Sequence, residues 1–293
     1  MTPITDWNWF FSSLSQSGAA LIGIIAAFII SKLLSENEKK DRLIQVIQSN
    51  IIQFRDLRTK LSKRRFEFCN FHVLTHSVRF KKAIVNGEFK GQDDSGVIEL
   101  INKIYPKLYI SESVIVQIKR RLAAIGDIGD PVRIEMIRTA NESHEDEYPQ
   151  EFYDEYYKIE ALYEECKVLR EKFRISQYES NFLSNNLKPI MIIIILLMIG
   201  FLASVVYPLH FMPFANNSDP SVVISFHVLW DNVKSIQGIH LILLSIIIEG
   251  IFVYFIILIS SIRQGYKQAS KNIKEEYLTL TGYSEYFKYK DFD

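Results

Sequence analysis

Glycine and proline are scarce in this chain, 12 and 8 among 293 residues, so the turn chemistry of an all-β fold is missing. Cysteine occurs only at Cys69 and Cys166, too few for a disulfide framework or a cysteine-built zinc site. Net charge is lacking as well, with 34 Lys+Arg against 34 Asp+Glu. As an average, that balance argues against a strongly basic nucleic-acid binder and against an acidic tail protein. No GxSxG, P-loop, GxGxxG or HExxH occurs, so an enzyme is not expected and nothing asks for a cofactor.

Charge is also missing locally, and there its absence says more. No charged residue lies between Trp7 and Ser31 or between Pro189 and Ser218, and Glu249 alone interrupts the run from Ile239 to Ile262. A helix needs about 20 apolar residues to cross ~30 Å of hydrocarbon, and each run is long enough. The first run has no basic segment before it and no small-residue cleavage site after it, so it reads as a retained helix rather than a signal peptide. The expected fold is therefore an all-α integral membrane protein with three transmembrane helices. Its expected parts are a first span at 1–34, a cytoplasmic helical domain at 35–188, two spans within 189–262 joined by an outer loop at 212–238, and a tail at 263–293.

Lys and Arg set the orientation. None occurs before residue 32, and Lys234 is the only one in the outer loop. Lys32, Lys39, Lys40 and Arg42 follow the first span, while Arg263, Lys267, Lys271 and Lys274 follow the third. The positive-inside rule then places the N-terminus out and the C-terminus in. Trp7, Trp9, Tyr207 and Trp230 fall at the outer interface. Val222, Phe226, Leu229, Trp230 and Val233 repeat at helical spacing, as an interfacial helix would.

Between the first two spans lies about half of the chain. Residues 35–85 contain neither Gly nor Pro, and Ile44, Ile47, Ile51, Phe54 and Leu61 form one helical stripe. A single helix to Asn86-Gly87 would project roughly 75 Å. Shorter helices are expected around 95–125, then a break at Gly126–Pro131 and an acidic loop from Asn141 to Pro149. A second long helix runs from about Gln150 into the second span. One helix leaving and one returning make a coiled-coil-like helical-hairpin stalk.

Neutrality conceals a division along that stalk. Residues 39–133 hold 19 basic and 10 acidic side chains, whereas residues 134–187 hold 6 and 13. The basic residues cluster at Arg55, Arg58, Lys60, Lys63, Arg64 and Arg65, at Lys81-Lys82, and at Lys119, Arg120 and Arg121. Phe54, Phe66, Phe68, Phe71 and Phe80 interleave with them. Phosphate contacts beside stacking aromatics are how single-stranded nucleic acid is held. The competing reading pairs the basic helix with the acidic returning one.

Cys69, His72 and His76 share a helical face, but the set lacks a fourth ligand and a packed helix face is the plainer reading, so no metal is expected. Glu249 lies mid-span with Ser245 one turn away; it serves either helix packing or a pore-facing, gating role. On the first span Ser12, Gln16, Ala19, Gly23 and Ala26 or Ala27 form a small, partly polar stripe, so Ser12, Gln16, Gly23, Ser245 and Glu249 are the candidate pore and gating residues.

The string Trp7-Asn8-Trp9-Phe10-Phe11-Ser12-Ser13-Leu14-Ser15-Gln16-Ser17, with the small-residue span after it, resembles bacterial membrane proteins of anti-phage defence, nearest the membrane effector of Hailong-type systems. The resemblance covers roughly residues 7–34 and the layout of spans. It implies an oligomeric, channel-forming effector of abortive infection in a bacterial inner membrane. In such systems a partner nucleotidyltransferase makes a short single-stranded DNA that holds the effector inactive. The expected function is thus a homo-oligomeric channel whose cytoplasmic helices sense an anionic oligonucleotide. The alternative is a membrane-anchored scaffold or adaptor that recruits a protein partner and conducts nothing.

Overall fold

The computed structural model describes residues 7–105, 108–124, 135, 138, 148–210 and 234–290. The described residues are helical and contain no strand. Helix α1 spans Trp7–Ser62 and α2 Phe66–His76, followed by α3 at Val78–Val85, α4 at Asp94–Ile104 and α5 at Glu112–Ala124. Helix α6 runs from Gln150 to Phe201 and continues into a π-helical turn, Leu202–Val206, and a short α7, Tyr207–His210. Helix α8 covers Ile236–Asn272 and α9 Glu275–Leu278, and 3₁₀ turns at Leu280–Gly282 and Glu285–Phe287 follow. Helices α1, α6 and α8 are each long and apolar enough to span a membrane. The expected breaker at Gly126–Pro131, most of the acidic loop and the helix around Val222–Val233 lie outside the described residues.

Burial repeats every seventh residue. In α6 the positions are Phe152, Ile159, Cys166, Phe173, Ser180, Leu187, Ile194 and Phe201, each 2 % exposed or less. Helix α8 buries Phe252, Ile259 and Tyr266 at the same spacing, and α1 buries Ile29, Glu36, Leu43, Asn50 and Leu57. This is coiled-coil periodicity, in which facing side chains interlock along a narrow seam. It explains why the isolated apolar stripe of α1 was visible: Ile47, Phe54 and Leu61 are buried, with Ile44 and Ile51 at its edge.

The chain divides into two compact units, Met1–Gln45 with Gln177–Asn272, and Val46–Ser176 with Ile273–Asp293. In the first unit, Tyr266 ties three helices together. Its hydroxyl donates to the backbone carbonyl of Glu36 at 3.0 Å, and its own carbonyl accepts from Ser180 Oγ. Both bonds are buried and form in only one register of α1, α6 and α8. Glu36 itself is a buried carboxylate held by Lys32 at 2.8 Å and Lys39 at 3.0 Å. The aliphatic stem of Lys40 lies against Gly265, so α1 and α8 approach closely there.

Elsewhere in this unit the π-helical turn is the meeting point. Pro208 has no N–H to complete the α-helical ladder, and Tyr207 N–H instead reaches back to the carbonyl of Leu202. Ser15 of α1 donates to the Val205 carbonyl at 3.3 Å, and α8 packs against the same turn. Gly18 faces Ser204 so closely that a Cβ would stand 2.7 Å from its Oγ and 3.3 Å from its carbonyl oxygen.

The second unit corrects one expectation. The helix leaving the first span does not continue to residue 85: α1 stops at Ser62, and two shorter helices follow. No breaker residue stands at the stop. Arg64 N–H bonds to the Leu61 carbonyl at 2.9 Å, and Glu155 of α6 accepts from Arg65 N–H at 2.9 Å, so a partner on α6 takes up the freed backbone. The next break is a buried serine cap, with Ser77 Oγ accepting from Phe80 N–H. Asn86 and Gly87 (φ 75°) then end α3, as the sequence indicates. The core between these helices holds Phe80, Ile101, Val114 and Ile118 at 0 % exposure.

The close approach at Gly18 yields a stability prediction. Gly18→Leu overpacks the contact with Ser204 and destabilises the fold by about 1–3 kcal/mol, the usual cost of forcing extra atoms into a packed site. Gly250, which has nothing within 4 Å of its absent Cβ, tolerates the same change. Thermal unfolding of the two variants in detergent separates these outcomes.

Candidate nucleic-acid interface and intramembrane polar groups

The basic cluster of the second unit is largely paired. Arg65 meets Glu151 at 2.7 Å, Arg64 meets Glu155 at 3.4 Å, Lys60 meets Asp56 at 2.8 Å and Arg58 meets Glu276 at 4.0 Å. Lys119 pairs with Asp94. Arg55, Lys63 and Arg120 are exposed and form no ion pair among the described residues, while the Arg121 side chain lies outside them. Two of these partners, Glu151 and Glu155, belong to the acidic returning helix, as the competing reading of the charge pattern holds.

Magnitudes separate the pairs. Arg65 and Glu151 are 51 % and 62 % exposed, and pairs of that kind hold by only about 0.2–1 kcal/mol. A phosphate group could displace such an acid at small cost. The Arg64–Glu155 pair is different, because the Glu155 side chain is 8 % exposed and also caps the Arg65 backbone. Arg64 therefore belongs to the fold first.

The interleaved phenylalanines serve mainly as core. Phe54, Phe66 and Phe80 are buried, and Phe68 lies under the Arg65 guanidinium at 4.6 Å. Phe71 alone of the five is well exposed, at 53 %. Base stacking thus has one free platform, whereas phosphate contacts have several cations.

Cys69, His72 and His76 do not assemble into a ligand set. Among the described residues no group of His, Cys, Asp and Glu could hold a metal ion. Burial, with some help from Glu155, pushes the Cys69 thiol up to about 12. The rings of His72 and His76 stack at 5.1 Å, and burial followed by the His76 charge lowers the His72 pKa. Cys166 is likewise buried and pushed up to about 12.

In the membrane-spanning helices the polar residues behave differently from one another. Gln16 is exposed on α1 and donates to Ser12 Oγ at 3.2 Å. Gly23 opens onto empty space, with nothing within 4 Å of where its Cβ would be. In the first turns of α1 it is Ser15 and Gly18 that meet the turn at Leu202–Val206. Ser245 donates to its own helix at the Leu241 carbonyl, 2.7 Å away. Both carboxylate oxygens of Glu249 are shielded and have no hydrogen-bond partner among the described residues.

Two measurements check this description. Arg64→Ala removes a charged hydrogen bond and lowers stability by about 1.5–3 kcal/mol, whereas Lys63→Ala changes it little; denaturant titration distinguishes them. At pH 8 a thiol of pKa about 12 is ionised in only about one molecule in 10,000, so iodoacetamide labels neither cysteine until the protein unfolds.

No family model matches the chain, and neither a curated protein nor a solved structure matches it.

Proposed function

We propose that this chain is one subunit of a homo-oligomeric, ligand-gated channel in a bacterial cytoplasmic membrane, acting without catalysis. The observation that carries the reading is Glu249. A carboxyl group left in a membrane span without a partner costs several kcal/mol, and a neighbouring subunit or a water-filled axis relieves that cost. The face of α1 bearing Gln16 and Gly23 supports the same reading, since it is polar and small yet makes no close contact within its own chain at Gly23. The excess of Lys and Arg after the first and third spans favours an outer N-terminus and an inner C-terminus.

The ligand in this proposal is an anionic oligonucleotide bound on the cytoplasmic stalk, residues 35–188. Arg55, Lys63 and Arg120 supply uncommitted charge, and Arg58, Lys60, Arg65 and Lys119 exchange weak surface pairs for phosphate. The resemblance at residues 7–34 suggests an anti-phage effector whose opening depolarises the cell, with the ligand made by a partner nucleotidyltransferase. A second reading, a non-conducting scaffold, draws on Ile52, Val168 and Ile175, which expose 66 %, 56 % and 63 % of their surface outside the apolar spans.

Protein reconstituted in liposomes tests both. On the channel reading it forms a discrete oligomer, passes ions, and retains labelled oligothymidine with an affinity that falls steeply with salt. Arg55→Glu with Lys63→Glu weakens that retention about tenfold or more, and Glu249→Ala alters flux without affecting retention. Ion-tight liposomes and no retention at low salt leave the scaffold.

A further inference from the structure

We propose that residues 273–290 form a coupling strap, a docked segment through which the second unit controls helix α8. This rests on the channel reading for its functional consequence, while the docking itself is independent of it. Helix α8 ends at Asn272, and Ile273 and Lys274 lead directly into the segment. The other two crossings between the units are unbroken helix, within α1 and within α6. The third is the one place where the chain passes from a membrane-spanning helix into the second unit without helical continuity.

What docks the strap is aromatic. Tyr277 stacks on Phe173 at 5.0 Å and meets Phe54 edge-on at 4.7 Å. Tyr283 takes the other side of Phe54, also at 4.7 Å, and donates its hydroxyl to the Tyr277 carbonyl at 3.3 Å. Tyr286 lies flat on Phe66 at 4.3 Å, and its hydroxyl donates to Glu67 at 3.2 Å. Phe287 is wholly buried among Phe66, Tyr109 and Tyr163. Beyond it, the Lys290 ammonium sits over the Tyr109 ring at 3.9 Å and near Tyr163 at 5.2 Å. Asn102 holds the Tyr289 carbonyl at 3.4 Å.

The strap's own turns are built for this path. Gly282 is pressed against the Glu276 backbone so that no side chain would fit, and Ser284 caps the last turn by accepting from Tyr286 N–H. A solvent-facing tail needs neither device. The docking also borders the basic cluster: Glu276 meets Arg58, and Phe66 follows Arg65 in the chain. An anion that drew Arg58 away from Glu276 would act on the strap at its α8 end. Five rings outside the strap hold it, Phe54 on α1, Phe66 on α2, Tyr109 just before α5, and Tyr163 and Phe173 on α6, so several elements of the second unit grip it.

The experiment uses the full chain in liposomes, a form ending at Asn272, and a milder full-length double variant, Tyr286→Ala with Lys290→Gln. Readouts are oligothymidine retention, ion flux with and without oligothymidine, and hydrogen exchange of the strap amides. In the wild type, the amides of Tyr283, Phe287 and Lys290 are expected to be protected, since each is hydrogen-bonded to the backbone. In the double variant those of Phe287 and Lys290 exchange about tenfold faster or more, oligothymidine is retained as before, and flux no longer responds to it. A wild-type strap that exchanges like an unstructured peptide overturns the docking. Flux that responds equally well in the chain ending at Asn272 and in the double variant overturns the coupling. No flux from the wild type defeats the channel reading and the coupling role together, with the exchange data still deciding whether the strap is docked.

Discussion

A helix of 3.6 residues per turn that buries every seventh residue drifts by about 20° per heptad unless its neighbours wind with it. Helix α6 keeps that spacing from Phe152 to Phe201, and the other structural features are set against this seam. Where the seam position is Ser180, a hydroxyl reaches the Tyr266 carbonyl and fixes α8. Where it is Phe173, a ring receives Tyr277. Residues between seam positions supply Glu151 and Glu155, which hold the turn after α1. One periodic surface therefore organises both a lipid-compatible unit and a water-compatible one.

The two ends of that surface differ in what surrounds them rather than in how they pack. Leu196 and Ile199 on α6 and Ile246 and Ile257 on α8 are largely exposed in the chain, which suits hydrocarbon and not water. In the other unit the outward positions carry Glu164, Glu171 and Lys172. Partitioning of the outer faces, with an unchanged inner repeat, gives a single helix one stretch suited to hydrocarbon and another suited to water.

Much of this was legible before any coordinates. Uncharged runs identified the apolar helices, because excluding charge over such a length leaves few alternatives. Asn86-Gly87 ended a helix on local grounds alone, since Gly87 takes a positive φ that other residues avoid. The break after Ser62 was not legible, for Lys63, Arg64 and Arg65 are all sound helix formers and the stop depends on Glu155, some 90 residues away. On the first span the small-residue stripe through Gln16 and Gly23 was readable, whereas Ser15 and Gly18, which meet the turn at Leu202–Val206, were not singled out. Periodicity alone does not say which of two small faces meets its own chain. Phe54 and Phe66 were ambiguous in the same way, as an aromatic beside a cation serves a core or a ligand equally well until burial is known.

The π-helical turn at Leu202–Val206 holds one more residue per turn than the helix on either side. It acts as a phase shifter: residues after it are rotated relative to the seam of α6 by part of a turn. Deleting a single residue within it would turn the bond from Tyr207 N–H to the Leu202 carbonyl into an ordinary α-helical one and leave Tyr207 and Pro208 facing nearly the same way. Residues on either side would keep their partners, whereas the Val205 carbonyl that accepts from Ser15 belongs to the widened turn and would lose that bond. Near the end of α6 the count of residues is thus uncoupled from direction, and what a deletion in the turn costs is a contact.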